Sequence, residues 1–223
     1  MSYVIVNNNS VVYGPREWNR LLFQSILQDE FEINTTLGFT NDGAPVVIND
    51  SIKILPVLQK PHPEMNSKIE QLVGPFWEFK ADHVVQYYDV TNKDVSIVKS
   101  ELKKIVEIHR YQREISGIKV TIGTVEVPVT TSRDGREIYF HQSITATNTP
   151  VAFKFNGIWA DVTKQDFLNI CNAIHDFIQT TFDWEQSMWD LIDSKNTLEE
   201  LDDLDLQYKE TAEIIQFPQQ HAA

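Results

Sequence analysis

The residue types that most often do chemistry are present but scattered. The six histidines, His62, His83, His109, His141, His175 and His221, never fall at the spacing that lets two of them hold one metal ion from one helix or hairpin. One cysteine, Cys171, excludes both an internal disulfide and a cysteine-based zinc site. A nucleophilic role would need Cys171 on a sharp, exposed elbow, and it sits between Ile170 and Ile174 in a helical pattern. It reads as a small apolar filler.

Acid pairs invite a second idea, glycosidic cleavage. Glu199-Glu200 and Asp202-Asp203 are neighbours on a charged helix, whereas a glycosidase sets its two carboxylates across a cleft and raises one pKa by burial. These acids face water. Phe76, Trp77, Phe79, Tyr87 and Tyr88 have the rings to stack on sugars, but alternating strands use the same residues as core. Gly14, Gly38, Gly43, Gly74, Gly117, Gly123, Gly135 and Gly157 stand alone, so no phosphate-cradling glycine motif exists. The expectation is a protein without catalytic residues, cofactor or metal.

What does organise the chain is a heptad stripe. Phe167, Ile170, Ile174, Phe177, Thr181, Trp184, Met188 and Leu191 recur at alternating steps of three and four. A second row, Leu168, Cys171, His175, Ile178, Phe182, Trp189 and Ile192, widens that face. The pattern predicts one long helix opened by Thr163-Lys164-Gln165-Asp166 and ended by Asn196. Thr197-Leu198-Glu199-Glu200 then opens a short helix, the two forming a helical hairpin. Asp183 offers an alternative cap that would split the long helix, but the phase runs through it unbroken. Such a seam serves either packing within the chain or association of identical copies.

The rest of the chain supplies a frame for that helix. Residues 1–90 read as β-rich with one short helix: a hairpin of Tyr3–Val6 and Val11–Tyr13, a break at Gly14-Pro15, then a helix from Arg16 to Asp29. Strands follow at Phe31–Phe39 and Val46–Leu58 around an Asn41-Asp42-Gly43 turn, with a loop at Pro61-His62-Pro63-Glu64. Lys68–Val73 reads as a helical turn, and Phe76–Phe79 with Val84–Tyr88 as paired strands. Residues 91–206 read as a second, α+β domain. Its helix carries Val95, Val98, Leu102, Ile105, Val106 and His109, and its small antiparallel sheet holds Ile118–Ile122 and Val125–Val129. Ser132–Arg136 is read as a turn leading Ile138 and Phe140 into a further strand, and Asn156-Gly157 as a last hairpin. Residues 207–223 read as a tail, with a frayed helix over Gln207–Ile215.

Charge narrows the partners. Of the net −13, most lies between Asp183 and Glu213, where eleven acids face Lys195 and Lys209. Nothing clusters Lys and Arg as phosphate contacts require, so nucleic acid is not expected. No run approaches a membrane span or a secretory signal, which predicts a chain made in a cytoplasm.

Several short motifs carry a resemblance. In the second half these are Arg110-Tyr111-Gln112-Arg113-Glu114-Ile115-Ser116-Gly117, Thr131-Ser132-Arg133-Asp134-Gly135-Arg136, Trp159 with Val162-Thr163, Phe182-Asp183-Trp184-Glu185 and Thr197-Leu198-Glu199-Glu200-Leu201. They resemble a domain of unknown function that recurs in tail-fibre and other tail-associated proteins of tailed bacteriophages. The first half, with Gly14-Pro15-Arg16-Glu17-Trp18-Asn19 and Lys68–Trp77, is similar to uncharacterised structural proteins of contractile-tailed phages of cyanobacteria. The resemblance implies a virion component of the tail or baseplate, supporting or linking fibres and contacting other tail proteins, and, because fibres are trimeric, it favours a trimer if identical copies associate. It carries no catalytic residues. The alternative is a fibre-assembly chaperone that leaves before maturation.

Overall fold

The computed structural model describes residues 1–38 and 43–208, together with the backbone of Ile215–Gln216. Asn41 and Asp42 of the expected turn, most of the expected frayed helix and the residues beyond Gln216 lie outside the described residues. The protein is α+β and divides into two units, Met1–Lys93 and Asp94–Ala223.

In the first unit, β1 (Ser2–Asn7) and β2 (Ser10–Glu17) form a hairpin. Its two central residues, Asn8 and Asn9, both adopt positive φ, the conformation that a two-residue turn demands and that asparagine tolerates. Gly14-Pro15 does not break the second strand. Gly14 sits at φ 99°, where a Cβ would lie 2.7 Å from the Tyr3 carbonyl oxygen, and β2 continues past it to Glu17 through an irregular register. The helix α1 (Arg20–Phe31) therefore starts later than expected, with Asn19 capping the Leu22 amide at 3.1 Å. Four residues after Pro15, Asn19 offers the side-chain acceptor that a helix start needs and proline lacks.

Residues 33–38 form neither strand nor helix. The apolar run 46–58 divides into β3 (Val46–Val47) and β4 (Ile52–Gln59), because Asn49 turns the chain by accepting the amides of Ser51 and Ile52. Lys68–Val73 is not helical: after a turn at 67–69 the chain enters β5 (Glu70–Phe79), paired antiparallel with β6 (Val84–Asn92). Glu70, Leu72 and Glu78 fall among cross-strand pairs, and two-residue alternation wins over a short helical match. The sheet order is β2-β1-β4-β6-β5, with β4 and β6 parallel and β3 beside β4.

β1 is buried on both faces. Tyr3 and Ile5 meet Phe23 and Leu27 of α1, where Trp18 stacks on Phe23 at 5.4 Å; Val4 and Val6 meet Leu55, Val57 and Val84 on the other side. Trp77 and Phe79 pack against that second cluster.

In the second unit, Asp94 caps α2 (Val95–Glu114). β7 (Ile118–Ile122) and β8 (Val125–Val129) follow, with Val120, Ile122, Val127 and Val129 turned inward by simple alternation. Ser132–Arg136 is the start of a helix rather than a turn. Ser132 accepts the Gly135 amide at 3.3 Å, and α3 (Arg133–Thr145) buries Gly135, Tyr139 and Ser143, one per helical turn. Ile138 and Phe140 consequently lie on a helix, both exposed.

Gly135 is a case where the usual helix rule reverses. Alanine in a helix interior ordinarily gains up to about 1 kcal/mol over glycine. Here a Cβ would lie 2.3 Å from Thr130 Cγ2 and 3.1 Å from its carbonyl oxygen. Gly135→Ala is expected to cost about 1–3 kcal/mol from overpacking, read as a lowered Tm.

β9 (Val151–Phe155) and β10 (Ile158–Val162) pair through Asn156-Gly157, both at positive φ. The long helix α4 (Lys164–Ser194) is a single element of 31 residues. Its capping box is complete: Thr163 Oγ1 accepts the Asp166 amide at 3.2 Å, and Asp166 accepts the Thr163 amide at 2.9 Å. The helix passes Asp183 without a break. A second capping box, Thr197 with Glu200, opens α5 (Leu198–Asp202), which packs against α2. The backbone of β11 (Ile215–Gln216) runs parallel to β7.

Glu200 accepts the amides of Asn196 at 2.8 Å and Thr197 at 3.2 Å, and these bonds hold its carboxyl below the usual range. With a folded pKa depressed below the unfolded one, the cap is present at pH above the ordinary glutamate value and is lost as pH falls through the folded pKa. The protection of the residue 198–202 amides, relative to their unstructured exchange rates, is expected to fall across that acid window, and Glu200→Gln to flatten the dependence.

Candidate functional site

The second unit's core places Val120, Val127, Phe155 and Val162 from the strands against Phe167, Ile170 and Ile174 of α4 and Tyr139 of α3. Phe153 meets Phe167 edge-on at 5.2 Å. The first half of the seam is thus core: Phe167, Ile170, Ile174, Phe177 and Thr181 are buried within the chain. Trp184 and Met188 are half-buried, and Leu191 is exposed.

The most organised polar arrangement joins α2, α3 and α4. Arg110 pairs with Glu114 one turn along α2, and its Nε lies 2.9 Å from Glu185 Oε2 on α4. Arg136 of α3 reaches the other Glu114 oxygen at 3.0 Å. The Arg110 and Glu114 side chains are each only 11% exposed. Burial at that level requires partners, because removing either charge takes from the other its nearest counterion where little solvent can replace it.

Aromatic faces complete the setting. The Arg110 guanidinium lies 4.5 Å over Phe182, and that of Arg113 lies 5.0 Å over Phe177 and 5.3 Å over Tyr208. Tyr208 meets Trp184 edge-on at 5.1 Å. The backbone carbonyl of Glu114 accepts the Thr131 hydroxyl, which in turn accepts the Gly117 amide at 3.0 Å, fixing the chain's exit from α2. The sequence singled out Arg110–Gly117, Thr131–Arg136 and Phe182–Glu185 as separate motifs. The fold brings them into one cluster.

Beside it, between α3 and α4, lies an open cleft of ≈ 280 Å³ lined by Arg136, Phe140, Cys171, Ile174, His175 and Ile178. Burial pushes the Cys171 thiol up, partly offset by a hydrogen bond with Ser143, so it remains protonated at neutral pH. Its neighbours in the cleft include Ile174 and Ile178, an apolar setting. Among the described residues no group of three His, Cys, Asp or Glu side chains could hold a metal ion, and no helix is long and apolar enough to cross a membrane.

The acids and aromatics weighed for glycan chemistry also have structural partners. Glu200 closes the α5 cap, Phe76 and Tyr87 pair across β5 and β6 at 5.6 Å, and Tyr88 packs on His62 at 4.7 Å. His109 bonds the Leu206 carbonyl at 2.9 Å, tying the segment after α5 to α2.

The arrangement is that of an α+β protein whose three main helices are cross-tied by buried charge. The chain belongs to the family described as Domain of unknown function (DUF4376), whose model matches residues 97–208, just over half of its length. The match spans the whole ion-pair cluster. No curated protein and no solved structure matches the chain.

Proposed function

We propose that this protein is a structural component of a phage tail or baseplate that links or supports tail fibres through protein–protein contacts. One observation carries the reading: the charged side chains of Arg110, Glu114, Arg136 and Glu185 are spent on cross-tying α2, α3 and α4, while large apolar side chains stay on the outside of that frame. Phe140 is 62% exposed, Trp159 61% and Ile144 58%. A rigid scaffold with exposed aromatic and branched side chains suits docking to another protein, where such residues supply most of the contact energy. The motifs of both halves that resemble phage tail proteins supply the context.

The acidic end favours one alternative. From Asp183 onward α4, α5 and the C-cap of α5 present Asp183, Asp190, Asp193, Glu199 and Asp203 on exposed positions, a surface suited to a basic fibre segment held during assembly. Quantitative mass spectrometry of purified particles separates the two readings. Stoichiometric presence in virions supports the structural role. Absence from particles, with fibres that fail to assemble when the chain is deleted, overturns it in favour of an assembly chaperone.

A further inference from the structure

α2 has two apolar faces. The inner one, Val98, Leu102 and Val106, is fully buried. The outer one carries Ile97, Ile105, Ile108, Tyr111 and Ile115, which are 46%, 40%, 54%, 55% and 41% exposed. Single exposed apolar residues are ordinary on protein surfaces. Four in one row along a 20-residue helix of about 30 Å, with Ile115 continuing the row at its C-cap, are not.

We propose that a second copy of this chain covers that row, the two α2 helices lying antiparallel about a twofold axis at the middle of the helix. The row is complementary to itself in that direction. Turned end for end about residue 106, Ile97 of one copy faces Ile115 of the other and Ile105 meets Ile108. Lys104 then comes beside Glu107, and the symmetry makes this ion pair twice. Lys104 and Glu107 are both exposed, and among the described residues neither makes an ion pair within the chain.

The parallel alternative fails on charge. Ile97, Glu101, Lys104, Ile108, Tyr111 and Ile115 follow the heptad steps, so a parallel in-register bundle would set Lys104 on Lys104 and Glu101 on Glu101. The α4 stripe is not available for the same purpose, since Phe167, Ile170, Ile174 and Phe177 are already buried in their own chain. A contact one helix wide falls at the small end of specific interfaces, so the dimer is concentration-dependent.

This association does not depend on the virion role and holds equally for a chaperone. Sedimentation equilibrium of the full chain up to about 100 μM tests it. The expected result is a reversible monomer–dimer equilibrium, abolished by Ile108→Lys. Lys104→Glu, which sets two acids together, should weaken the dimer about tenfold, and the swap Lys104→Glu with Glu107→Lys should restore it. All three positions are exposed, so at concentrations where the wild type is monomeric circular dichroism and Tm should match it and separate loss of contact from loss of fold. A monomer at the highest concentration, a trimer, a dimer indifferent to Ile108→Lys, or a swap that fails to restore association would each overturn the proposal.

Discussion

Glu114→Gln is expected to cost about 3–5 kcal/mol of stability, because it removes the one carboxylate shared by Arg110 and Arg136 in a setting where Arg110 is 11% exposed. Glutamine keeps the shape and loses the charge. Two guanidinium groups then face an uncharged amide, and Arg110 retains only Glu185. Urea denaturation followed by near-ultraviolet circular dichroism gives the change directly. Combining Glu114→Gln with Arg136→Met removes one of the stranded charges and should recover part of the loss, since coupled partners do not add. A single substitution that shifts stability by less than about 1 kcal/mol would mean that water, not the protein, balances these charges.

The second large effect concerns Phe167, which is 0% exposed at the start of α4. Phe167→Ala should destabilise the second unit by about 3–5 kcal/mol through lost burial and the cavity left beside Phe153 and Ile170. The same truncation at Leu191, 39% exposed on the same heptad stripe, should cost far less. Equal effects at the two positions would mean that the stripe is covered along its whole length. Thermal unfolding of both variants decides between these outcomes.

That contrast also shows how far the sequence could be read. The length of α4, both capping boxes and the Asn156-Gly157 hairpin were legible because each rests on local chemistry: period, a side-chain acceptor, a residue that tolerates positive φ. Which stretch of the α4 stripe is core was not, since a heptad pattern specifies a face and not what covers it. α3 was missed for a related reason. Ser-Arg-Asp-Gly-Arg has turn composition, and the signal that overrides it, Gly135, Tyr139 and Ser143 recurring every four residues, includes a glycine and a serine that no apolar pattern would count. In the first unit, Gly14-Pro15 and Gly74-Pro75 look like stops, yet both lie inside strands, with pairing shifted in register around them. The ion-pair cluster could not be assembled from sequence at all. Arg110, Arg136 and Glu185 are far apart in the chain, and only the packing of three helices makes them neighbours.

α4 has neither glycine nor proline between Lys164 and Ser194, and it is secured near both ends: by the strand core at Phe167 and Ile170, and by buried Ile192 with Lys99 and Lys103 bonded to Asp193. With neither residue to kink it, the rod has no built-in hinge over about 45 Å, at about 1.5 Å of rise per residue.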